Sequence, residues 1–262
     1  MKFLTFNIRY STRSDGQYAW VHRKHAVIDF ILSQAPVVFG LQEVLPEQRK
    51  DLELALGSEY RSVGRGRDPD LEGEQCPIFF RNDQFVQLDT QQLWLSDTPT
   101  VHGSKNWSHP RCRPALPRIF TCLRLLSAHQ GGIWNIFNTH FDHQFPEARL
   151  QSVGKLLRPV QAALERGERV VVMGDLNANE DEDSLSRLED TLQNAYRACN
   201  PDGAAPATYH GYQGAQAEEG CHIDYIFFDT GWNIEACSVL QDEGPDFLSD
   251  HFPVLAIADE AT

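Results

Sequence analysis

The chain has 262 residues, and its 23 Lys and Arg against 37 Asp and Glu give a formal net charge of −14. Hydrophobic residues make up 41% and charged residues 23%, a composition that is typical of globular proteins and excludes intrinsic disorder, collagen-like repeats and coiled coil. The negative balance argues against a general nucleic-acid coat, because phosphate backbones are bound by Lys and Arg. An acidic protein can still carry a basic pocket.

The apolar runs are too short to span a bilayer, and the first residues lack the apolar centre of a signal peptide. The six cysteines show no C-x-x-C spacing, and a chain of this length needs no disulfide framework. We therefore expect a cytoplasmic protein with reduced thiols and no membrane association.

Short apolar strands alternate with amphipathic helices along the whole chain, which is typical of an α/β protein. In chain order the patterns predict strand Lys2–Ile8, helix Trp20–Gln34, strand Val37–Glu43, helix Pro46–Leu56, strands Ile78–Arg81, Phe85–Leu95, Arg118–Leu126 and Gly132–His140, a long helix carrying Leu150 to Leu164 with a kink at Pro159, strand Arg169–Gly174, a helix capped by Asp183 and carrying Leu185 to Tyr196, and strands His222–Phe228 and Val254–Ala258. No repeat or linker divides the chain, so residues 1–262 are predicted to form one domain with mixed sheets.

Polar residues of a few types recur at the strand ends. They are Asn7, Glu43, His140, Asp175, Asn177, Asp224, Asp250 and His251. Ligand sites of open α/β sheets form beyond strand ends, so these side chains are candidates to converge. Each alone has a simpler explanation: Glu43 can mark where a strand meets water, residues 174–177 can form an Asx-turn, and His140 can be a hydrogen-bonded core histidine. The recurrence of carboxylates, amides and histidines at so many strand ends favours a functional site over these separate explanations.

Six segments in one order resemble the endonuclease/exonuclease/phosphatase superfamily, which includes deoxyribonuclease I, inositol-polyphosphate 5-phosphatases and deadenylases. The segments are TFNIR at 5–9, LQEV at 41–44, NTHFDH at 138–143, GDLNA at 174–178, HIDY at 222–225 and SDHFP at 249–253. Residues 93–107 look like a prokaryotic branch of that superfamily. The resemblance covers about residues 1–258.

The resemblance implies a four-layer α/β sandwich, in which two mixed β-sheets pack face to face with helices outside. It also implies phosphoester hydrolysis that depends on Mg²⁺ or Mn²⁺. Glu43 is the first choice of metal ligand, with Asn7 close by and Asp250 as a further ligand; these oxygen donors suit Mg²⁺. Zinc is the weaker alternative, because the H-E-x-x-H spacing and a cysteine cluster are both missing.

By similarity, Asp175 would orient and deprotonate the attacking water, and Asn177 would hold that water or a phosphate oxygen. His140 and His251 would donate hydrogen bonds to the non-bridging oxygens as charge builds in the transition state. Asp224 would orient His251 and fix its tautomer. These roles require no covalent phosphoenzyme.

Two further groups of residues lie near these positions. Asp142 and His143 either belong to loop structure or face the leaving group or a second metal, and Arg149 either reaches the phosphate or is a solvated helix residue. Residues 102–118 contain Lys105, Arg111, Arg113 and Arg118 but no acid, and Arg61, Arg65 and Arg67 form a smaller basic group. Of these, Arg118 is favoured as a phosphate ligand. Trp107, Trp20 and Tyr18 line the pocket or are buried.

The leading hypothesis is a metal-dependent phosphoesterase that acts on a small organic phosphate, such as a phosphorylated sugar or polyol, or on a short phosphodiester. A nuclease that acts on DNA or RNA, either an endonuclease or a 3′ exonuclease, is the alternative. A binding module that has lost catalysis is disfavoured, because every expected catalytic position is filled. The sequence leaves the oligomeric state open.

Overall fold

A computed structural model describes residues 1–114, 116–128, 131–218, 220–241 and 247–261. The strands are β1 (Lys2–Asn7), β2 (Val38–Gln42), β3 (Tyr60–Val63), β4 (Ile78–Arg81), β5 (Phe85–Trp94), β6 (Ile119–Ser127), β7 (Ile133–His140), β8 (Arg169–Asp175), β9 (Gln193–Asn194), β10 (Asp224–Phe228), β11 (Trp232–Val239) and β12 (Val254–Glu260). The α-helices are α1 (Trp20–Gln34), α2 (Pro46–Leu56), α3 (Pro146–Glu165), α4 (Asp183–Glu189) and α5 (Ala195–Cys199).

The strands form two six-stranded sheets, and both are mixed. The first has the order β11-β12-β1-β2-β4-β3, and the second has the order β5-β6-β7-β8-β10-β9. The pair β1–β2 is parallel in the first sheet, and the pair β7–β8 is parallel in the second. The other ladders, such as β1–β12 and β10–β8, are antiparallel.

The layers follow from the alternation of side chains along each strand. On β1, Phe3 points into a core shared with the second sheet, where Trp134 and Met173 lie. Its neighbour Leu4 points the other way, into a core shared with α1 and α2. A third core joins the second sheet to α3 and α4. Central strands are therefore buried on both faces, which explains their nearly unbroken apolar runs. The expected four-layer α/β sandwich is confirmed.

The segment after α3 differs from the sequence-based prediction. A single helix from Asp183 to Tyr196 is wrong: α4 ends at Glu189, β9 follows, and α5 starts after Asn194. The Asn194 side chain accepts hydrogen bonds from the backbone N–H groups of Tyr196 and Arg197, so it caps a new helix. Asp183 is the first residue of α4 and makes no capping bond.

Strands β3, β9 and β11 were not predicted. They are short or lie at sheet edges, where exposed positions interrupt the apolar pattern. Helix α3 continues through Pro159 to Glu165. None of the helices in the described ranges combines the length and apolar character that a bilayer span requires.

Candidate active site

Strand register places three of the predicted site residues side by side at one end of the second sheet. Asp175 pairs with His140 on one side, across β7–β8, and with Asp224 on the other, across β8–β10. Nε2 of His140 lies 3.5 Å from Oδ2 of Asp175. Because all three positions are set by backbone ladders, their spacing does not depend on loop conformation.

Glycine immediately before Asp175 makes this arrangement possible. Gly174 has a φ of +146°, and a Cβ on it would lie 2.1 Å from the carbonyl oxygen of Thr139 on β7. Any larger residue would push β7 and β8 apart at the point where the two site side chains meet. After the strand, the backbone N–H of Asn177 donates to Oδ1 of Asp175 at 2.9 Å.

The first sheet supplies Asn7 at the end of β1 and Glu43 directly after β2. Nδ2 of Asn7 lies 3.0 Å from Oδ2 of Asp175 and 3.3 Å from Oε1 of Glu43. The amide of Asn7 therefore joins the two sheets at the site. Glu43 has a φ of +62°, and its Oε2 accepts from the backbone N–H of Tyr10 at 3.1 Å. This unusual backbone conformation turns the carboxylate toward the end of β1.

His251 and Asp224 form a buried pair. Nδ1 of His251 lies 2.8 Å from Oδ2 of Asp224, and Nε2 of His251 lies 3.9 Å from Oδ2 of Asp175. Burial alone would lower the pKa of His251, but the adjacent Asp224 carboxylate raises it to about 10. The imidazole is thus a strong donor whose second nitrogen faces Asp175.

Asp175 and His140 are both shifted toward their neutral forms. Burial, together with the negative charge of Asp224, raises the pKa of Asp175 to about 7. Burial and the nearby Arg118 guanidinium hold the pKa of His140 well below its ordinary value. Perturbed titratable groups that share one cleft are characteristic of active sites.

These residues open into one cavity of about 520 Å³, a size suited to a small molecule. The predicted site residues that line it are Glu43, Arg118, His140, His143, Arg149, Asp175, Asn177, Asp250 and His251. Asn7 and Asp224 are fully buried behind this surface and contact the lining residues. Convergence of the strand-end residues is thus what the structure shows.

Asp142 and Arg149 differ from the other candidates because their polar atoms already have protein partners. Oδ1 of Asp142 accepts from the backbone N–H groups of Gln144 and Phe145, both at 2.9 Å, and Asp142 does not line the cavity. Arg149 donates through Nε and Nη2 to Glu182 and through Nη1 to the carbonyl of Asp142. Both residues organise the loop before α3, which agrees with the loop interpretation of Asp142.

The aromatic residues singled out in the sequence do not line the cavity. Trp20, the first residue of α1, is buried, and its Nε1 donates to the carboxylate of Asp51 on α2 at 3.0 Å. Tyr18 stacks on Tyr212 with ring centroids 4.3 Å apart, and Trp107 packs on the α3 core. Of the three, Trp20 is buried, whereas Tyr18 and Trp107 are half-buried and pack against other side chains.

Several lining residues were missed. Arg9 pairs with Asp15 at 3.2 Å, and its guanidinium lies 3.9 Å from Glu43 and 3.8 Å from Asp250. Arg9 belongs to the TFNIR segment and lies two residues after Asn7, the last residue of β1. Its position just beyond a strand end is the feature of the sequence that could have predicted it as a site residue. Further missed residues are Tyr10, Glu74, Asn179, Glu182, Tyr209 and Cys221.

A single cysteine lines the same cavity as the histidines, so the described residues place one thiol here and not the cysteine cluster that is typical of zinc sites. Cys221 lines the cavity near Asp175, and burial raises the pKa of its thiol to about 11. Zinc binds the thiolate, so a thiol that stays protonated is a poor ligand. An isolated β-bridge with Tyr209 places Cys221 at the cavity, and the spacing of the cysteines in the sequence does not reveal this pairing.

Two groups of side chains have the chemistry to bind a divalent ion. Asp175, Asp224 and His251 offer ligand atoms within 4.8 Å of one another. In this group, however, Nδ1 of His251 and Oδ2 of Asp224 already bind each other. Glu43 and Asp250 carry hard oxygen donors whose ion pairs with Arg9 are long, at 3.9 and 3.8 Å. Glu43 and Asp250 therefore fit Mg²⁺ or Mn²⁺ better than the first group does. Asn7 orients Glu43 through its Nδ2, while its Oδ1 accepts from the backbone N–H of Arg9 at 3.0 Å.

The model of the endonuclease/exonuclease/phosphatase family matches residues 4–251. This span contains the first five segments named above in full and the sixth, at 249–253, as far as residue 251. The chain belongs to this family. A comparison with curated proteins finds no significant match.

Several solved structures agree closely with this fold. A Bacteroides vulgatus endonuclease/exonuclease/phosphatase is 32% identical, with a TM-score of 0.90 over 99% of this chain and 98% of that one. A mannosyl-6-phosphatase from Bacteroides thetaiotaomicron is 26% identical, with a TM-score of 0.87 over 99% of both chains. The catalytic domain of human Nocturnin shares the fold at 18% identity and a TM-score of 0.77, covering 100% of this chain and 94% of that one.

Proposed function

We propose that this family member is an Mg²⁺- or Mn²⁺-dependent hydrolase of small phosphate esters, with a phosphorylated sugar or polyol as the substrate class. The observation that carries the proposal is the placement of Asp175 between two histidines. Nε2 of His140 lies 3.5 Å and Nε2 of His251 lies 3.9 Å from the same carboxylate oxygen. A general base and two potential donors thus face one point of the cavity wall.

In this mechanism Asp175 takes a proton from the attacking water, and its raised pKa suits a general base near neutral pH. The water oxygen forms a bond to phosphorus, and the bond from phosphorus to the ester oxygen breaks. The ester oxygen leaves with the bonding electron pair and takes a proton from the solvent. His140 and His251 donate hydrogen bonds to the non-bridging oxygens, where charge builds. Asn177, whose Nδ2 donates to the carbonyl of Phe141 at 3.1 Å, holds the water or a phosphate oxygen.

Glu43 and Asp250 would hold the metal ion, and Asn7 would join them only by giving up the hydrogen bond that its Oδ1 accepts from the backbone N–H of Arg9. When bound, such an ion supplies Lewis-acid stabilisation of phosphoryl oxygens and lowers the pKa of coordinated water. Asp224 keeps the Nδ1 proton of His251 in place, so that Nε2 faces the cavity.

The cavity favours a small substrate. A volume of about 520 Å³ is of the size that accommodates a small molecule such as a sugar phosphate. The wall also carries Glu74, Asn179 and Glu182, whose carboxylate and amide groups can bind hydroxyl groups. The mannosyl-6-phosphatase has the same fold at 26% identity, which supports a sugar phosphate.

The test is a substrate panel with Mg²⁺ and with Mn²⁺, comparing phosphorylated sugars and polyols with labelled single- and double-stranded DNA and RNA. We expect turnover of a small ester that EDTA abolishes, and a loss of at least about a hundredfold in Asp175→Asn and in His251→Ala. Activity that survives EDTA, or variants that retain more than about a tenth of the rate, would contradict the mechanism. Turnover of nucleic acid alone would establish the nuclease instead.

A further inference from the structure

Arg118 is the cationic side chain of the cavity wall that the protein leaves without an acidic partner. It lies directly before β6 and is only 5% exposed. Among the described residues, its guanidinium contacts His143 but forms no ion pair with a carboxylate, and its Nε and Nη1 have no hydrogen-bond partner. Burying an unpaired charge is costly, so an anion is expected to complete this site.

The neighbouring arginines show how unusual this is. Arg9 pairs with Asp15, Arg67 binds Glu74 through two nitrogens, and Arg149 binds Glu182 through two nitrogens. Their shortest nitrogen–oxygen distances are 3.2, 2.5 and 2.8 Å. Each of these charges is neutralised within the protein.

Histidine is the partner that Arg118 does have. Nη2 of Arg118 lies 2.9 Å from Nδ1 of His143. A guanidinium can only donate, so Nδ1 must accept and the imidazole must be neutral. Burial, together with the charge of Arg118, also lowers the pKa of His143. The contact therefore orients the guanidinium without cancelling its charge.

The guanidinium stands between two cavities, because Arg118 lines both the large cavity and a small one of about 10 Å³ beside it. A space of that size holds about one water molecule. Water can satisfy a hydrogen-bond donor there, but it cannot neutralise a charge. The large cavity, which Arg118 shares with His140 and Asp175, is where an anion fits.

We infer that Arg118 is a specificity-determining residue that selects phosphomonoesters over phosphodiesters. A monoester presents three non-bridging oxygens and about two negative charges at neutral pH, whereas a diester presents two such oxygens and one charge. An arginine whose charge is not cancelled gains most from the second charge, and its planar fork matches two oxygens at once. The inference rests on the proposed function, which names a phosphorylated sugar or polyol but no residue that distinguishes a monoester from a diester.

The test compares p-nitrophenyl phosphate with bis(p-nitrophenyl) phosphate at saturating Mg²⁺, in wild type, Arg118→Met, Arg118→Lys and Arg113→Met. Arg113 is an exposed residue of the same basic loop, so its substitution removes an equal charge from solvent. We expect Arg118→Met to lose about 10- to 150-fold in kcat/KM on the monoester, the range for hydrogen bonds to charged groups, and less than about fivefold on the diester. Arg118→Lys should fall between, and Arg113→Met should match wild type.

Two measurements separate this role from a structural one. Arg118→Met should unfold at or above the wild-type temperature, because it removes an unpaired buried charge. Calorimetry without metal should show that Arg118→Met weakens binding of inorganic phosphate more than binding of dimethyl phosphate. Equal losses on the two esters, a lowered unfolding temperature, or unchanged phosphate binding would overturn the inference. A wild type that hydrolyses neither ester nor any phosphorylated sugar or polyol of the substrate panel would refute the proposed function, and the phosphate-binding comparison would still decide the role of Arg118.

Discussion

The His251 imidazole and the Asp224 carboxylate meet at 2.8 Å in the interior, although 27 positions separate them in the chain. Asp224 is the first residue of β10, and His251 lies three positions before β12, so the contact links the two sheets. The other carboxylate oxygen, Oδ1 of Asp224, is buried and has no hydrogen-bond partner in the part of the chain that the structure describes. The carboxylate is therefore committed to a single histidine.

We expect Asp224→Asn to lower kcat by about 10- to 100-fold with little change in KM, because the amide keeps the shape but no longer fixes the His251 tautomer. Steady-state kinetics on the substrate found in the panel would measure this split. Asp89→Asn, at an exposed position of β5, is the matched control. An Asp224→Asn enzyme with a raised KM and an unchanged kcat would show that Asp224 acts in binding instead.

Glu43→Gln should raise the Mg²⁺ concentration needed for half-maximal activity by about tenfold or more, since a carboxylate ligand is lost. Activity should recover partly at high Mn²⁺. Glu47→Gln, four residues later and exposed, keeps the wild-type metal response and serves as the control. If Glu43→Gln changes kcat at saturating metal but leaves the metal dependence as it is, Glu43 does not hold the ion.

Gly174→Ala should destabilise the fold by about 2 kcal/mol or more, because the new Cβ would clash with the Thr139 carbonyl and φ is +146°. Gly167→Ala provides a comparison, since Gly167 also has a positive φ, +69°, but no atom lies within 4 Å of its added Cβ. It should cost only about 1 kcal/mol, the penalty of the left-handed conformation. Urea unfolding measures both values, and equal costs would mean that the strands yield to the clash.

Glu168 provides a pH-dependent contribution to stability. Burial would raise its pKa, but hydrogen bonds from Arg124, Arg166 and Asn135 lower it to about 2. Because the pKa in the folded state is depressed, this stabilisation is complete above the unfolded pKa of about 4.3 and is lost as pH falls toward 2. Glu168→Gln should therefore be less stable than wild type at neutral pH.

Urea unfolding of both proteins between pH 7 and pH 3 measures this difference, which should shrink below about pH 4.3. Glu165→Gln, a nearby exposed position, should show no such trend. A difference that stays constant down to pH 3 would exclude the charge of Glu168 as its source.

The sequence predicted the central strands and the residues at their ends well, because strands buried on both faces leave long apolar runs with a polar residue where each run stops. Asn7 and Asp175 are examples, at the ends of β1 and β8. Residues held by tertiary contacts were harder. Glu74 and Tyr209 lie in segments without hydrophobic periodicity, and tertiary contacts position them at the cavity. Arg67 binds the Glu74 carboxylate, and an isolated β-bridge pairs Tyr209 with His251.

The pairing of charged side chains could not be predicted from the sequence. Arg118 and Arg149 look alike in the sequence, as basic residues beside a presumed phosphoester site. The fold gives Arg149 a carboxylate, Glu182, from the loop before α4, and it gives Arg118 a neutral histidine. Only three-dimensional pairing distinguishes a positive charge that is already balanced from one that remains for a ligand.

The ladder between β1 and β12 pairs Lys2 with Ile257, so the first sheet is complete only when segments some 250 positions apart have paired. During synthesis on the ribosome, Asn7 and Glu43 emerge long before Asp224 and His251. Contacts of such sequence separation form slowly, because loop closure costs entropy before the contact is made. The residues of the site are therefore brought together only after most of the chain has been synthesised. Hydrolytic competence arises in this late step and does not grow with chain length.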